Sequence, residues 1–260
     1  MSPISAPAKV AIRFALVFAF LAAWQFAPDT WVPSVWVSRP YDIGAMLLRW
    51  IGDGTLWYHL EITLTAMMSG FVIGSVVGVL VGIVLGLTPF AERVVSPFIV
   101  ALYSLPKIAI APLLVILFGI GIESKIVLVS ITVFFMMMFS ALDGVRDVDR
   151  DLVAALRLMG ATKREVVGKV LLPGSLAWIF MGLRVSIRLA FTAAILGEII
   201  SSNRGIGYLV EHSAVKFDAT GVFASIFVVV IFSVAITEIV TFAERSNSRW
   251  RVGEAPLRTR

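Results

Sequence analysis

Residues 154–173 open with Ala154-Ala155-Leu156-Arg157-Leu158-Met159-Gly160 and close, after nine more residues, with Val170-Leu171-Leu172-Pro173. The stretch lies between two strongly apolar runs and is crowded with charge. From Asp143 to Pro173 there are six basic residues (Arg146, Arg150, Arg157, Lys163, Arg164, Lys169) and five acidic ones (Asp143, Asp147, Asp149, Asp151, Glu165). Such near-balance suits a structured, solvated surface better than a disordered tail. Leu152, Ala155, Leu156 and Met159 recur at spacings of three and four, which gives one apolar helix face. Gly160 tolerates positive φ and predicts a helix C-cap. Thr162 with Glu165 three residues on has the form of a capping box for a second helix, running to about Leu171. Pro173 then marks entry into the next apolar run. The pattern is helix, tight turn, helix: a compact knob, longer than a minimal connection. A partner that moves such a knob as a rigid body re-poses the segments attached to it.

The rest of the chain explains what the knob is attached to. Its 260 residues are 59% hydrophobic and only 15% charged, against roughly a quarter charged in a soluble domain. About 20 apolar residues of helix cross a hydrocarbon core, and we read six such spans: about 11–28, 61–87, 95–118, 125–141, 176–200 and 221–243. The expected fold is all-α, a polytopic membrane protein with about six transmembrane helices. Residues 1–10 form a short leading segment, 11–245 the membrane domain with its loop at about 143–173, and 246–260 a polar, basic tail. Lys9 and Arg13 before an apolar run imitate a signal peptide, but the spans that follow make an uncleaved membrane helix the better reading.

Loop charge predicts orientation. With the amino terminus inside, fourteen basic residues fall on the inner side, among them the six of the 143–173 loop, and only Arg39, Arg49, Lys125, Arg204 and Lys216 on the outer side. Both termini and the loop are therefore expected in the cytoplasm. Trp31, Trp36, Trp50 and Trp57 occupy the first outer loop, where an aromatic belt sits. The net charge of +5 is explained by inner-side arginines, and no basic tract points to nucleic acid. Without cysteine, disulfides and thiolate metal sites are excluded. His59 and His212 stand far apart in sequence and are read as interfacial. No metal-ligand cluster, paired carboxylates or Ser/His/Asp set is evident, so no catalytic residue is assigned.

Within the spans a few features stand out. Gly70, Gly74, Gly78, Gly82 and Gly86 line one helix face, where another backbone approaches closely: packing inside the bundle, or a seam between subunits. Arg184 and Arg188, four apart, share a face of the fifth span. An intramembrane charge marks a pathway or a buried partner, and a guanidinium suits oxyanions. Pro106 and Pro112 permit a kink beside Lys107. Lys107, Arg188 and Glu198 are the pathway candidates, with interior ion pairs as the alternative; Glu198 is within reach of pairing with Lys107 or Arg204. The two glycines around Ile206 suit a tight turn into a short re-entrant helix.

The 154–173 pattern resembles the coupling loop of bacterial ABC-importer permeases, whose motif reads Glu-Ala-Ala, three residues, Gly, nine residues, Ile-x-Leu-Pro. Leu105-Pro106-Lys107-Ile108-Ala109, Pro112-Leu113, Phe118-Gly119, Gly197-Glu198-Ile199-Ile200 and Gly205-Ile206-Gly207-Tyr208-Leu209 resemble the nitrate/sulfonate/taurine permease family. The likeness covers roughly residues 55–245. It implies a bacterial inner-membrane permease that imports a small anion by alternating access. It implies as partners a second copy of the chain, cytoplasmic ATP-binding subunits that hold ATP and Mg, and a periplasmic or lipid-anchored substrate-binding protein. It places the ATPase contact on Asp151, Ala154, Ala155, Leu156, Gly160, Ala161 and Pro173, and the outer gate on Gly205, Ile206, Gly207 and Tyr208. Ala154 stands at the motif's glutamate and Leu156 at its second alanine, with Asp151 about one turn earlier. No Gly-x-x-x-x-Gly-Lys-Ser/Thr loop occurs in the chain, so hydrolysis is assigned to a partner. The rival class, an ion-coupled secondary transporter, predicts carboxylates near the midplane, where only Glu198 comes close and sits toward one end, and repeated halves, which are not evident.

Overall fold

Two helices whose backbones touch form the centre of the fold. The computed structural model describes residues 6–247 apart from 27, 29, 31, 32 and 34. Trp31 and tail residues 248–260 lie outside the described residues. Helix α3 (Thr55–Leu87) lays its glycine ladder against α6 (Ile122–Arg146). A Cβ at Gly74 would lie 2.5 Å from the Ser130 carbonyl oxygen, and one at Gly78 would lie 2.6 Å from that of Phe134. Any side chain there forces the helices apart, so the ladder serves packing inside one chain.

The other elements wrap this pair. α9 (Leu172–Ser201) packs Ala190, Phe191 and Ala194 into a core shared with Met67, Val129, Val133 and Met137. α10 (Ile206–Val215) and α11 (Ala219–Asn247) follow it. α2 (Pro40–Gly52) starts on a proline, whose missing N–H is harmless at that position. It is a helix within the loop expected only to carry aromatics. α1 (Ala6–Phe26) touches α11 through Trp24, whose ring lies near Phe223 and Phe227.

Among the described residues four segments are long and apolar enough to cross a membrane: α3, α6, the segment containing α9, and α11. The span expected over 95–118 is not one straight helix. α4 (Pro89–Ser104) and α5 (Ala111–Phe118) join through a 3-10 turn at Lys107–Ile110, with a bend of 81°. Pro106 is the cause: the residue before a proline is driven from helix to extended backbone, and Leu105 has φ −66° and ψ 132°. The expected first span corresponds to α1, of which the shorter part Ala15–Phe26 is the apolar helix. The expected six are thus four long helices, one bent pair and one short apolar helix.

Candidate functional site

The 143–173 segment folds as its local signals direct. After α6 ends, Asp149 caps α7 (Arg150–Leu158), its Oδ1 accepting the Asp151 N–H at 2.8 Å. At the other end Gly160 adopts φ +84°. There the Gly160 N–H donates to the Arg157 carbonyl and the Ala161 N–H to the Leu156 carbonyl, both at 3.0 Å. These two bonds are the Schellman closure, which needs a left-handed residue and so glycine. Thr162 opens α8 (Lys163–Val166) with a reciprocal capping box: its N–H donates to Glu165 Oε2 at 2.9 Å, and the Glu165 N–H returns to Thr162 Oγ1 at 3.3 Å. The Thr162 N–H and hydroxyl, each donating to Oε2 at 2.9 Å, with Lys169 at 3.1 Å, hold the Glu165 carboxyl down to about 2. α7 leaves Asp151, Leu152, Ala154, Ala155 and Met159 exposed, and Leu156 half-buried. The second helix does not stop at Leu171. A π-turn at Val167–Leu171 carries α8 into α9, with the exposed Pro173 in the first turn of α9.

At the far end of α9 the second candidate region comes together. The first N–H groups of a helix lack internal partners, and those of α10 are met by side chains from two other helices. The Gly205 N–H donates to His59 Nδ1 at 3.0 Å, Ile206 N–H to Thr63 Oγ1 at 2.9 Å, and Gly207 N–H to Glu198 Oε2 at 2.8 Å. The Thr63 hydroxyl also lies 3.0 Å from Glu198 Oε2 as donor. Glu198 is 1% exposed, and its second oxygen has no hydrogen-bond partner among the described residues. A carboxylate at a helix N-terminus is favoured by the aligned peptide dipoles. Gly205 has φ +115°, and a Cβ there would collide with the Glu198 carboxyl group. A Cβ at Gly207 would meet Glu198 Cβ at 2.7 Å. Both glycines exist so that the turn can close on this carboxylate. Tyr208 stacks on His59 and on His212, and its hydroxyl lies 3.2 Å from His212 Nδ1. The two histidines, far apart in sequence, thus meet on one ring.

The other pathway candidates lie elsewhere. Neither Lys107 nor Arg204 pairs with Glu198: Lys107 Nζ donates to the Tyr103 carbonyl at 2.9 Å and sits 3.9 Å over the Tyr103 ring, and Arg204 lies over the Tyr58 ring. Lys107 lines an apolar groove of about 470 Å³ between α3, α6 and the broken helix, with Gly74, Ser130 and Phe135. Arg188 is exposed near the middle of α9, and its guanidinium has no ion pair among the described residues. Arg184, on the same face, is half-buried.

Sequence reasoning missed His59 and Thr63. They lie four apart on the face that continues into the glycine ladder, and that continuity is the signal that marks them as interior.

Known proteins with a similar chain give these sites a context. Residues 74–251 match the family described as binding-protein-dependent transport system inner membrane component. The taurine transport system permease protein TauC of Escherichia coli (strain K12) is 33% identical over 224 residues, covering 84% of this chain and 78% of that one. The formylaminopyrimidine transport permease protein ThiX of Halalkalibacterium halodurans is 30% identical over 203 residues, 76% of this chain and 81% of that one. In fold, the chain is similar to the MetNI methionine ABC transporter in an inward facing conformation, with a TM-score of 0.60 at 23% identity over 76% of this chain and 97% of that one. The knob between spans and these likenesses agree: the chain belongs to the family of binding-protein-dependent inner-membrane transport components, as an ABC-importer permease subunit of the nitrate/sulfonate/taurine group.

Proposed function

We propose that two copies of this chain form the membrane pathway of an ATP-driven importer for a small anion, with the loop end of each in the cytoplasm. The observation that carries this reading is the α7–α8 knob, capped at both ends and bearing an exposed apolar face in Leu152, Ala155 and Met159. An exposed apolar face on a rigid projection suits docking to a partner. Here the partner is the ATP-binding subunit, which holds ATP and Mg and hydrolyses the nucleotide. Its closure moves the knob, and the spans follow by alternating access.

The α10 region, at the opposite end of α9, is the outer gate and meets a substrate-binding protein. Arg188 lies near the middle of α9 and Lys107 on the broken helix, so both are suited to a passing anion. A guanidinium offers forked donors to sulfonate or carboxylate oxygens. The relatives' names include taurine, a sulfonate, and this is the substrate chemistry that Arg188 fits.

Orientation and partnership are testable together. A cysteine placed at Thr162 should react with a membrane-impermeant thiol reagent only after cells are opened, and one at Asp42 in intact spheroplasts. The chain has no native cysteine, so background is small. The complex should co-purify with an ATPase whose turnover rises with the loaded binding protein. Labelling of Thr162 from outside, or a permease that imports substrate without any ATPase, would overturn the proposal.

A further inference from the structure

At the loop end a cleft of about 1030 Å³ opens between α7 and the ends of α3, α4 and α6. Its walls combine two chemistries. Gly86, Pro89, Val145 and Leu171 are apolar, and Arg146, Arg150 and Arg157 supply three guanidiniums. Arg146 is engaged by Glu92 at 2.5 Å. The guanidiniums of Arg150 and Arg157 are exposed, with no hydrogen bond or ion pair among the described residues.

Ala154 lines the same cleft, four residues after Arg150 and three before Arg157. Those are the spacings at which a helical carboxylate pairs with a cation, and this is where the family motif carries glutamate. Asp151, the only acid inside α7, is not on the cleft wall. With alanine at 154, two cations on one wall are left for an anion from outside the chain.

The level of the cleft narrows the choice of anion. It lies where α3 ends at Leu87, α6 ends at Arg146 and α9 begins at Leu172. That is the boundary of the apolar spans, where lipid headgroups sit. Phe90, 76% exposed, and Leu158, 90% exposed, lie beside or on its rim, as side chains covered by acyl chains would. Forked guanidiniums match phosphate oxygens, and basic pockets between helices at the cytoplasmic boundary suit acidic headgroups. Building on the proposed function, with this end at the cytoplasmic leaflet, we infer that the cleft binds an anionic phospholipid. Its phosphodiester lies between Arg150 and Arg157, and its chains lie along the ends of α3 and α4.

The whole complex, permease with ATP-binding subunits, is reconstituted in nanodiscs of phosphatidylglycerol and phosphatidylcholine in equal parts. Lipids retained after transfer to detergent are then counted by native mass spectrometry. The wild type should hold phosphatidylglycerol in preference. A basic residue near an acidic headgroup is worth roughly fivefold in affinity, so Arg150→Gln with Arg157→Gln should cut the preference by about 25-fold. Arg150→Lys with Arg157→Lys should keep most of it. Ala154→Glu should lower it several-fold with both arginines present, and it carries the test if the double glutamine variant fails to assemble. Equal retention in wild type, double glutamine variant and Ala154→Glu would overturn the site. Displacement of the lipid by glycerol phosphate would overturn it in favour of a soluble anion. Loss of the ATP-binding subunits from the double variant, with lipid retained, would assign the arginines to the partner protein instead. Labelling of Thr162 from outside would overturn the orientation alone, because retention of lipid depends on neither orientation nor transport.

Discussion

Replacing Thr63 with valine keeps the shape of the side chain and removes one hydroxyl from the α10 junction. That hydroxyl accepts the Ile206 N–H at 2.9 Å and lies 3.0 Å from Glu198 Oε2. Thr63 and Ile206 are both 0% exposed, so water cannot replace the lost partner. An orphaned buried N–H costs about 1–3 kcal/mol, and a bond to a charged group somewhat more than a neutral one. Taking about 2 kcal/mol, the opening of the turn into α10 becomes roughly 30-fold more frequent. Opening of one element while the rest stays folded is read by amide exchange. Hydrogen exchange of a peptide covering 205–215 should therefore accelerate by that factor in the intact complex, with a peptide from α6 unchanged. Thr63→Ser keeps the hydroxyl and should exchange near the wild-type rate. An unchanged rate over 205–215 in Thr63→Val, or equal acceleration over α6, would refute the idea that these caps hold α10.

Three further outcomes follow from other parts of the chain. Gly160→Val forces a branched residue to φ +84°, a cost of about 1–2 kcal/mol or more; assembly should persist while uptake and its coupling to hydrolysis fall, and wild-type uptake would show that the turn is dispensable. Arg188→Gln should leave the melting temperature in place and slow anion uptake, with Arg188→Lys recovering only part because an ammonium lacks the fork; unchanged uptake removes Arg188 from the pathway. The Glu165 carboxyl, held at about 2 against an ordinary 4.5, stabilises α8 fully above pH 4.5, and this is lost as pH falls through about 2. Glu165→Gln should abolish that pH dependence of exchange over 163–171, and an identical profile in the variant would refute it.

What was legible in the sequence was local or periodic. Gly160 and the Thr162–Glu165 pair act within four residues of themselves, so the caps of the knob were readable directly. The glycine ladder announced a close approach by its spacing, but nothing in a repeat of four names the partner, and α6 emerged only from the structure. Pro106 and Pro112 gave the kink beside Lys107, but not its size: the 81° bend divides the expected 95–118 span between two helices. Thr63 and His59 were hidden for a different reason. Their partners Ile206 and Gly205 lie 143 and 146 residues away, and a threonine one turn beyond a histidine carries no local sign of its role. Pro173 pointed to the start of a new helix, but the structure shows a continuous one.

That continuity bears on how the two ends of the molecule communicate. A proline removes one backbone donor and its ring crowds the carbonyl four residues earlier, here that of Lys169. The chain meets this by widening, with the Leu172 N–H reaching back to the Val167 carbonyl. The helix is therefore unbroken between Lys163 and Ser201. The second helix of the knob is the beginning of the span that carries Glu198 in its last turn. α9 alone is a rod of about 45 Å, with the proposed ATPase contact at one end and the cap of α10 at the other. The first helix of the knob joins α6 differently, through a turn in which Asp147 accepts the Trp178 indole N–H at 3.0 Å. On the proposed reading, motion imposed on the knob is passed along α9 without loss in a flexible linker. The tight α3–α6 ladder resists deformation, since its backbones already touch. On the same reading the α10 junction yields instead: it is held by a few side-chain caps, two of them linked through the Thr63–Glu198 bond, so that release of one weakens the next.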